Sequence, residues 1–202
     1  MLNHIVLLGD SIFDNGPYVP ANETVSDHLS ARLPDGWRST LLASDGAVVS
    51  SVADYQLARI PRDATHLVLS IGGNNALGVA SMLGMEVNSI REALSALSEQ
   101  LFEFANEYEQ LLNRLRAHQL PLIVCTVYDA VPGLGLAEKM GLSLFNDVIT
   151  RNVIGGGDSL IDLRAICTEA DDYSEVSPIE PSSDGGVKIA REILARISQN
   201  LA

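Results

Sequence analysis

The chain has 202 residues, of which 47% are apolar and 19% charged, and its 26 acidic and 13 basic residues give a formal net charge of −13. This length and composition predict a single globular domain over residues 1–202. The acidic excess argues against nucleic acids and anionic membranes as partners, because both require clustered cations. No apolar run approaches the ~18 residues of a membrane span, and the N-terminus lacks a signal-peptide pattern, so we expect a cytoplasmic protein.

Short apolar runs alternate with helical patterns along the chain, as in a parallel sheet that is covered by helices on both faces. The strands are predicted at residues 4–8, 40–44, 66–71, 121–127 and 160–163. The helices are predicted at residues 23–33, 48–59, 89–118, 136–152 and 186–200, with Asn22 as the cap of the first. In the longest helix, apolar residues from Leu94 to Leu115 recur at three- and four-residue steps, which indicates a stripe that packs against the sheet.

Polar residues in the loops after the predicted strands are the candidates for a site, because open α/β sheets bind ligands at the carboxyl ends of their strands. Asp10 and Ser11 follow the first strand, Gly46 the second and Asn74 the third, and Glu180 lies before the last helix. A serine hydroxyl can attack a carbonyl carbon. The oxyanion that forms needs preorganised donors, which the backbone N–H groups of Ser11 and Gly46 and the side-chain amide of Asn74 can supply. This set of residues predicts acyl transfer.

Three blocks occur in order along the chain: Gly-Asp-Ser-Ile at 9–12, Ser-Asp-Gly-Ala at 44–47 and Gly-Gly-Asn-Asn at 72–75. They resemble the first three motifs of the SGNH hydrolases, also called the GDSL esterase/lipase family, with Ile12 in place of the usual Leu and Asn75 in place of the usual Asp. The resemblance implies a flavodoxin-like, three-layer α/β/α fold. Its five-stranded parallel sheet would have the strand order 2-1-3-4-5.

The resemblance also implies roles for residues in these blocks. Ser11 corresponds to the nucleophile, and Ser11, Gly46 and Asn74 correspond to the oxyanion hole. Four further residues are expected to support the site: Asp10, Gly73, Asn75 and Tyr128. By its own chemistry, Asp10 is expected to hold the turn by accepting hydrogen bonds from backbone amides. Tyr128 follows the fourth strand and is expected to line the pocket.

The fourth motif of the family, Asp-x-x-His followed by Pro, is absent from the chain. In the corresponding run Ser177 stands at the place of the aspartate and Glu180 at the place of the histidine, directly before Pro181. The four histidines are predicted at the amino ends of strands or in the first helix, away from Ser11: His4, His28, His66 and His118. Our hypothesis is that Glu180 is the base for Ser11, with a pKa raised by burial.

Three alternatives to this hypothesis stay open from the residues alone. Glu180 could cap a loop, or pair with Lys188 or Arg191. The protein could be a catalytically weak or inactive binding protein that holds a carboxylate or carbonyl ligand in the oxyanion pocket. It could also be a metal-assisted phosphoesterase that uses Asp10, Asp14 and Glu180, because carboxylate oxygens suit Mg²⁺ or Ca²⁺.

The favoured interpretation is a serine hydrolase that cleaves small acyl or acetyl esters without a cofactor or a metal. Its pocket walls are expected to come from residues of uneven size, which specify no acyl-chain length: Phe13, Leu77, Met82, Met85, Tyr128 and Val131. Cys125 and Cys167 are expected to be reduced core residues, since two cysteines in a chain of this length do not form a disulfide framework.

Overall fold

A parallel β-sheet lies at the centre of the computed structural model, which describes residues 3–199. Its strands are β1 (His4–Gly9), β2 (Arg38–Leu41), β3 (His66–Ser70), β4 (Leu122–Cys125) and β5 (Ser159–Ile161). All neighbouring strands are parallel, and the five-stranded sheet has the order β2-β1-β3-β4-β5. The predicted fold class and strand order are therefore confirmed. Every residue of β1 and β3 is buried, which explains why both strands are nearly continuous apolar runs in the sequence.

Helices cover both faces of the sheet. They are α1 (Val25–Ser30), α2 (Val49–Ser51), α3 (Gly73–Val79), α4 (Ile90–Arg116), α5 (Leu136–Gly156) and α6 (Ser183–Gln199). Alternate residues of a strand point to opposite faces. In β1, Ile5 and Leu7 therefore pack in one core cluster with α1 and α6. The core cluster on the other face contains Val6 and Leu8 together with α2, α4 and α5.

Some predicted boundaries are wrong. The first helix is shorter than expected because Thr24 caps it, in a capping box with Asp27, and Asn22 instead adopts a positive φ of 67°. Strand β2 ends at Leu41, before most of the predicted range. The helix predicted over 48–59 is divided into α2, a π-helical turn at Val52–Gln56 and a 3₁₀ turn at Leu57–Arg59.

The remaining elements lie close to their predicted positions. Helix α5 is longer than predicted and ends where Gly157 takes a left-handed conformation with φ of 75°. Helix α6 begins at Ser183, and residue 200 of the predicted helix lies outside the described residues. Cys125 and Cys167 are both buried and free, as expected. Between residues 3 and 199, no helix combines the length and the apolar character that a membrane crossing requires.

The segment after β3 differs most from the prediction. Helix α3 and the 3₁₀ turn at Ala80–Gly84 occupy a region where no helix was predicted. They lead into α4, whose buried residues begin only at Phe104. The predicted stripe is therefore wrong for the first turns of this helix, where Leu94 is 55% exposed. Residues 73–103 contain no buried residue, and we call this segment the cap.

Candidate active site

Ser11 lies in a tight turn directly after β1. Gly9 ends the strand with a φ of 130°, and a Cβ atom there would collide with the carbonyl oxygen of Ser70 in β3. This conformation and close approach both require glycine. The buried side chain of Gln56 accepts a hydrogen bond from the Gly9 N–H at 2.8 Å and donates one to the Gly9 carbonyl at 2.7 Å. The backbone that delivers Ser11 is thus fixed on two sides, and Ser11 itself is 7% exposed.

Asp10 is a buried carboxyl group beside Ser11. Its Oδ1 atom accepts a hydrogen bond from the Ile12 N–H at 3.2 Å, so it holds the turn as the sequence predicted. Burial raises the pKa of Asp10 to about 7; the Ile12 hydrogen bond opposes this shift and the charge of Glu180 adds to it. Asp10 and Glu180 are therefore close enough to repel each other when both are ionised.

Glu180 reaches the same cavity as Ser11 and is only 4% exposed. Burial raises the pKa of its carboxyl to about 7, while contact with the Ser11 hydroxyl acts in the opposite direction. The Oε2 atom is buried and has no hydrogen-bond partner within the described part of the chain. A carboxylate with a near-neutral pKa and a free oxygen has the properties that a general base needs.

The alternative ion pairs for Glu180 are not formed. Lys188 pairs with Asp172 instead, at 2.6 Å. Among residues 3–199, no salt bridge joins Glu180 to Arg191. The backbone of Glu180 is held by its neighbours: its N–H donates to the Ser177 carbonyl at 3.0 Å. The Glu180 side chain therefore lines the cavity, and neither Lys188 nor Arg191 pairs with it.

Two buried side chains tie the Glu180 loop to the rest of the site. Asn15 donates from Nδ2 to the Pro181 carbonyl and accepts from the Val25 N–H at Oδ1, both at 3.1 Å. Tyr128 donates its hydroxyl to the carbonyl of Ile179 at 2.7 Å. The sequence analysis missed Asn15, whose only signal was its position four residues after Ser11. Its partner in the loop is 166 residues away, so local pattern could not reveal the contact.

Asn74 lines the same cavity as Ser11. One hydrogen of its Nδ2 group is donated to the Ala47 carbonyl at 2.9 Å, which leaves the second available. The N–H groups of Ser11 and Gly46 make no hydrogen bond within residues 3–199. Gly46 is exposed, has a φ of 75° and does not line the cavity. It lies next to Ala47, and its role as a third donor stays a prediction.

The two other supporting residues have different positions. Gly73 lines the cavity at the start of α3, where a Cβ atom would stand 4.0 Å from Asp10 Oδ2. Asn75 does not line the cavity, and its Oδ1 accepts a hydrogen bond from the Val49 N–H at 3.1 Å. Asn75 therefore joins α3 to α2, and its supporting role in the site stays a prediction.

The cavity has a volume of about 340 Å³. Five of the predicted wall residues line it: Leu77, Met82, Met85, Tyr128 and Val131. The prediction for Phe13 is wrong, because this side chain is fully buried in the core with α1 and α6. Sequence position close to Ser11 did not reveal that Phe13 packs in this core cluster rather than in the cavity wall.

The three carboxylates of the metal hypothesis do not meet in one place, because Asp10 and Glu180 line the cavity and Asp14 does not. Asp14 Oδ2 accepts a hydrogen bond from the Asp45 N–H at 2.9 Å, whereas Asp10 bonds to Ile12. Within residues 3–199, no three His, Cys, Asp or Glu side chains are grouped as metal ligands. The geometry therefore offers the metal-assisted alternative no support.

Comparison with known proteins gives the family. The family model of the GDSL-like Lipase/Acylhydrolase family matches residues 7–185. A comparison with curated proteins found no match.

Solved structures share the fold at low sequence identity. An extracellular lipase from Streptomyces rimosus has a TM-score of 0.71 and 17% identity, covering 96% of this chain and 99% of its own. The acetyl xylan esterase AlAXEase has a TM-score of 0.71 and 15% identity, with the same coverage. A phospholipase A1 from Streptomyces albidoflavus NA297 has a TM-score of 0.71 and 16% identity, covering 95% of this chain and 99% of its own. Because the family model matches residues 7–185, which is most of the chain, the protein belongs to the GDSL-like lipase/acylhydrolase family.

Proposed function

We propose that the protein is an ester hydrolase in which Ser11 is the nucleophile and Glu180 its general base. The observation that carries this proposal is the meeting of the two side chains in one cavity, where burial raises the pKa of Glu180 to about 7. A carboxyl group with an ordinary pKa near 4.3 would be a poor base for a hydroxyl, and the shift reduces that mismatch. Family membership supports the same reaction class.

Acylation begins with attack of Ser11 Oγ on the carbonyl carbon of the ester. The Ser11 proton passes to the Glu180 carboxylate as the new C–O bond forms. The negative charge that develops on the carbonyl oxygen is stabilised by the Ser11 N–H and the free Nδ2 hydrogen of Asn74. Collapse of the tetrahedral intermediate breaks the bond to the alcohol, which leaves with the proton from Glu180.

Deacylation repeats these steps with water as the nucleophile. Glu180, again ionised, removes a proton from water, and the oxygen attacks the carbonyl carbon of the acyl-Ser11 ester. The second tetrahedral intermediate releases the carboxylic acid and returns the proton to Ser11 Oγ. The free Oε2 of Glu180 offers a lone pair for the proton in each half-reaction.

A fluorophosphonate probe tests this assignment. The probe should label wild-type protein at Ser11, located by mass spectrometry, and p-nitrophenyl acetate should be hydrolysed alongside. Ser11→Ala should abolish both signals, whereas Ser98→Ala, which changes an exposed serine of α4, should retain them. Folded wild-type protein that neither labels nor hydrolyses the ester would contradict the proposal and favour the inactive binding protein.

A further inference from the structure

The cavity that contains Ser11 has two chemically different parts. Polar side chains converge around Ser11: Asp10, Asn74 and Glu180. Beyond them the walls are almost entirely apolar and come from the rest of the cap, from residues 127–134 and from α5. The cap contributes Leu77, Met82, Leu83, Met85, Leu94 and Leu97. This part of the cavity can bury hydrocarbon but offers few hydrogen bonds to a polar ligand.

The cap lacks a packed interior of its own. None of residues 73–103 is buried, although the segment includes many large apolar side chains. Leu77, Leu83, Met85 and Leu94 are about half exposed, and all four border the cavity. A continuous apolar surface of this kind is uncommon unless it binds something. Its continuity with the Ser11 site indicates that the missing contact is made by part of the substrate.

Resting on the function proposed above, we infer that this cavity is an acyl-chain site for linear acyl groups of medium length. With the ester carbonyl at Ser11 and Asn74, the alkyl chain would lie between the cap and α5. The lining along α5 extends from Glu138 to Phe145, a span of about 10 Å at the rise of an α-helix. An acetyl group would leave most of that length empty, whereas an octanoyl chain would fill it.

A carbohydrate ester is a poorer match for the same space. Sugar hydroxyls need donors and acceptors along their length, since a polar group buried without a partner is unfavourable. In the apolar part of the cavity Glu138 is the charged group, and it lies in the first, exposed turn of α5. The walls therefore favour an alkyl chain over a sugar.

A chain-length series measures this preference directly. We expect kcat/KM to rise at least about a hundredfold from p-nitrophenyl acetate to p-nitrophenyl octanoate, because each buried methylene group strengthens binding about fourfold. A rate that stays flat or falls between these two esters would overturn the inference. Fluorophosphonate labelling of the same sample confirms that the nucleophile is present in either case.

A substitution that fills the cavity tests whether the preference for octanoate over acetate arises there. Ala96 lines the cavity, and Ala96→Phe should lower the octanoate-to-acetate ratio of kcat/KM at least about tenfold. The matched control is Ser98→Phe, an exposed position two residues further along α4 that does not line this cavity. It should leave the ratio unchanged. If Ala96→Phe does not fold, Leu97→Trp provides the same test, and an unchanged ratio in the folded variant would contradict the inference.

Binding of non-hydrolysable amides separates this inference from the proposed function. Octanamide should bind wild-type protein at least about a hundredfold more tightly than acetamide in calorimetry, and Ala96→Phe should remove the difference. If octanamide binds in this way but no ester is cleaved, the hydrolase proposal fails and the alkyl site stands. If esters are cleaved but octanamide binds no better than acetamide, the alkyl site fails and the hydrolase stands.

Discussion

The two ends of the cavity differ in how the fold holds them. At the polar end, Asp10, Ser11 and Glu180 are nearly inaccessible, and hydrogen bonds from Gln56 and Asn15 fix the loops that carry them. At the apolar end, the cap has no buried residue at all. The loops at the sheet edge are therefore held firmly, whereas the cap has the few buried contacts that are typical of a region of low local stability.

The same contrast divides helix α4 along its length. From Phe104 to Leu115 its apolar residues pack on the sheet, whereas Ala93, Leu94, Ala96 and Leu97 border the cavity. One amphipathic stripe thus performs two tasks, because the helix extends beyond the carboxyl edge of the sheet. The predictions that follow test whether chemistry resides at the polar end and stability in the packed half.

The largest effect is expected from Glu180→Gln. This change keeps the shape of the side chain but removes the base, so kcat/KM for p-nitrophenyl acetate should fall by about 10²–10⁴-fold. Glu175→Gln, an exposed acid on the same loop, is the control and should retain activity. A wild-type rate for Glu180→Gln would remove Glu180 from the mechanism.

Loss of an oxyanion donor comes next. Asn74→Ala should lower kcat by about 10²–10³-fold, because the charge on the carbonyl oxygen loses a preorganised donor. Asn75→Ala removes the hydrogen bond to the Val49 N–H and should chiefly lower the melting temperature. Similar reductions in kcat for both variants would show that Asn74 supports the loop rather than the reaction.

The packed and unpacked halves of α4 should differ in stability. Leu111 is buried, and Leu111→Ala should lower the free energy of unfolding by about 2–5 kcal/mol. Leu97 lines the cavity, and Leu97→Ala should lower the free energy of unfolding by less than about 1 kcal/mol. Urea denaturation of the two variants measures the difference. Equal losses would mean that the cap is packed as firmly as the core.

The smallest effect is a pH dependence in which activity and stability change in opposite directions. Asp10 and Glu180 have pKa values raised to about 7, so the folded protein retains protons that the unfolded chain releases near pH 4. The free energy of unfolding should therefore fall as pH rises from 4 to 7. Over the upper part of this range kcat/KM should rise, because the Glu180 base must be ionised.

Variants at the two carboxyl groups resolve this pH dependence. Glu180→Gln and Asp10→Asn should each flatten the stability profile, measured by thermal unfolding across the same pH range. Each should also be more stable than wild type at pH 8, where the wild-type protein buries two ionised carboxylates. If both variants keep the wild-type pH dependence of stability, groups other than Asp10 and Glu180 cause it.

The sequence by itself determined the sheet and the polar end of the site. The apolar runs that became β1, β3 and β4 are buried on both faces, so their pattern was visible locally. The blocks around Ser11 and Asn74 and the position of Glu180 before α6 could be read because short motifs specify turns directly. Their catalytic and oxyanion roles remain predictions that the experiments above address.

Only the tertiary structure decided the cap, the cavity and the contacts that position Glu180. Helical periodicity indicates an apolar face but not whether that face contacts a sheet or a cavity. The packing of the first turns of α4 was therefore predicted wrongly. Phe13 entered the core, and Gly46 remained outside the cavity, for reasons that depend on turn geometry. Asn15 and Pro181 are hydrogen-bonded but far apart in sequence, and local sequence pattern cannot predict such a contact.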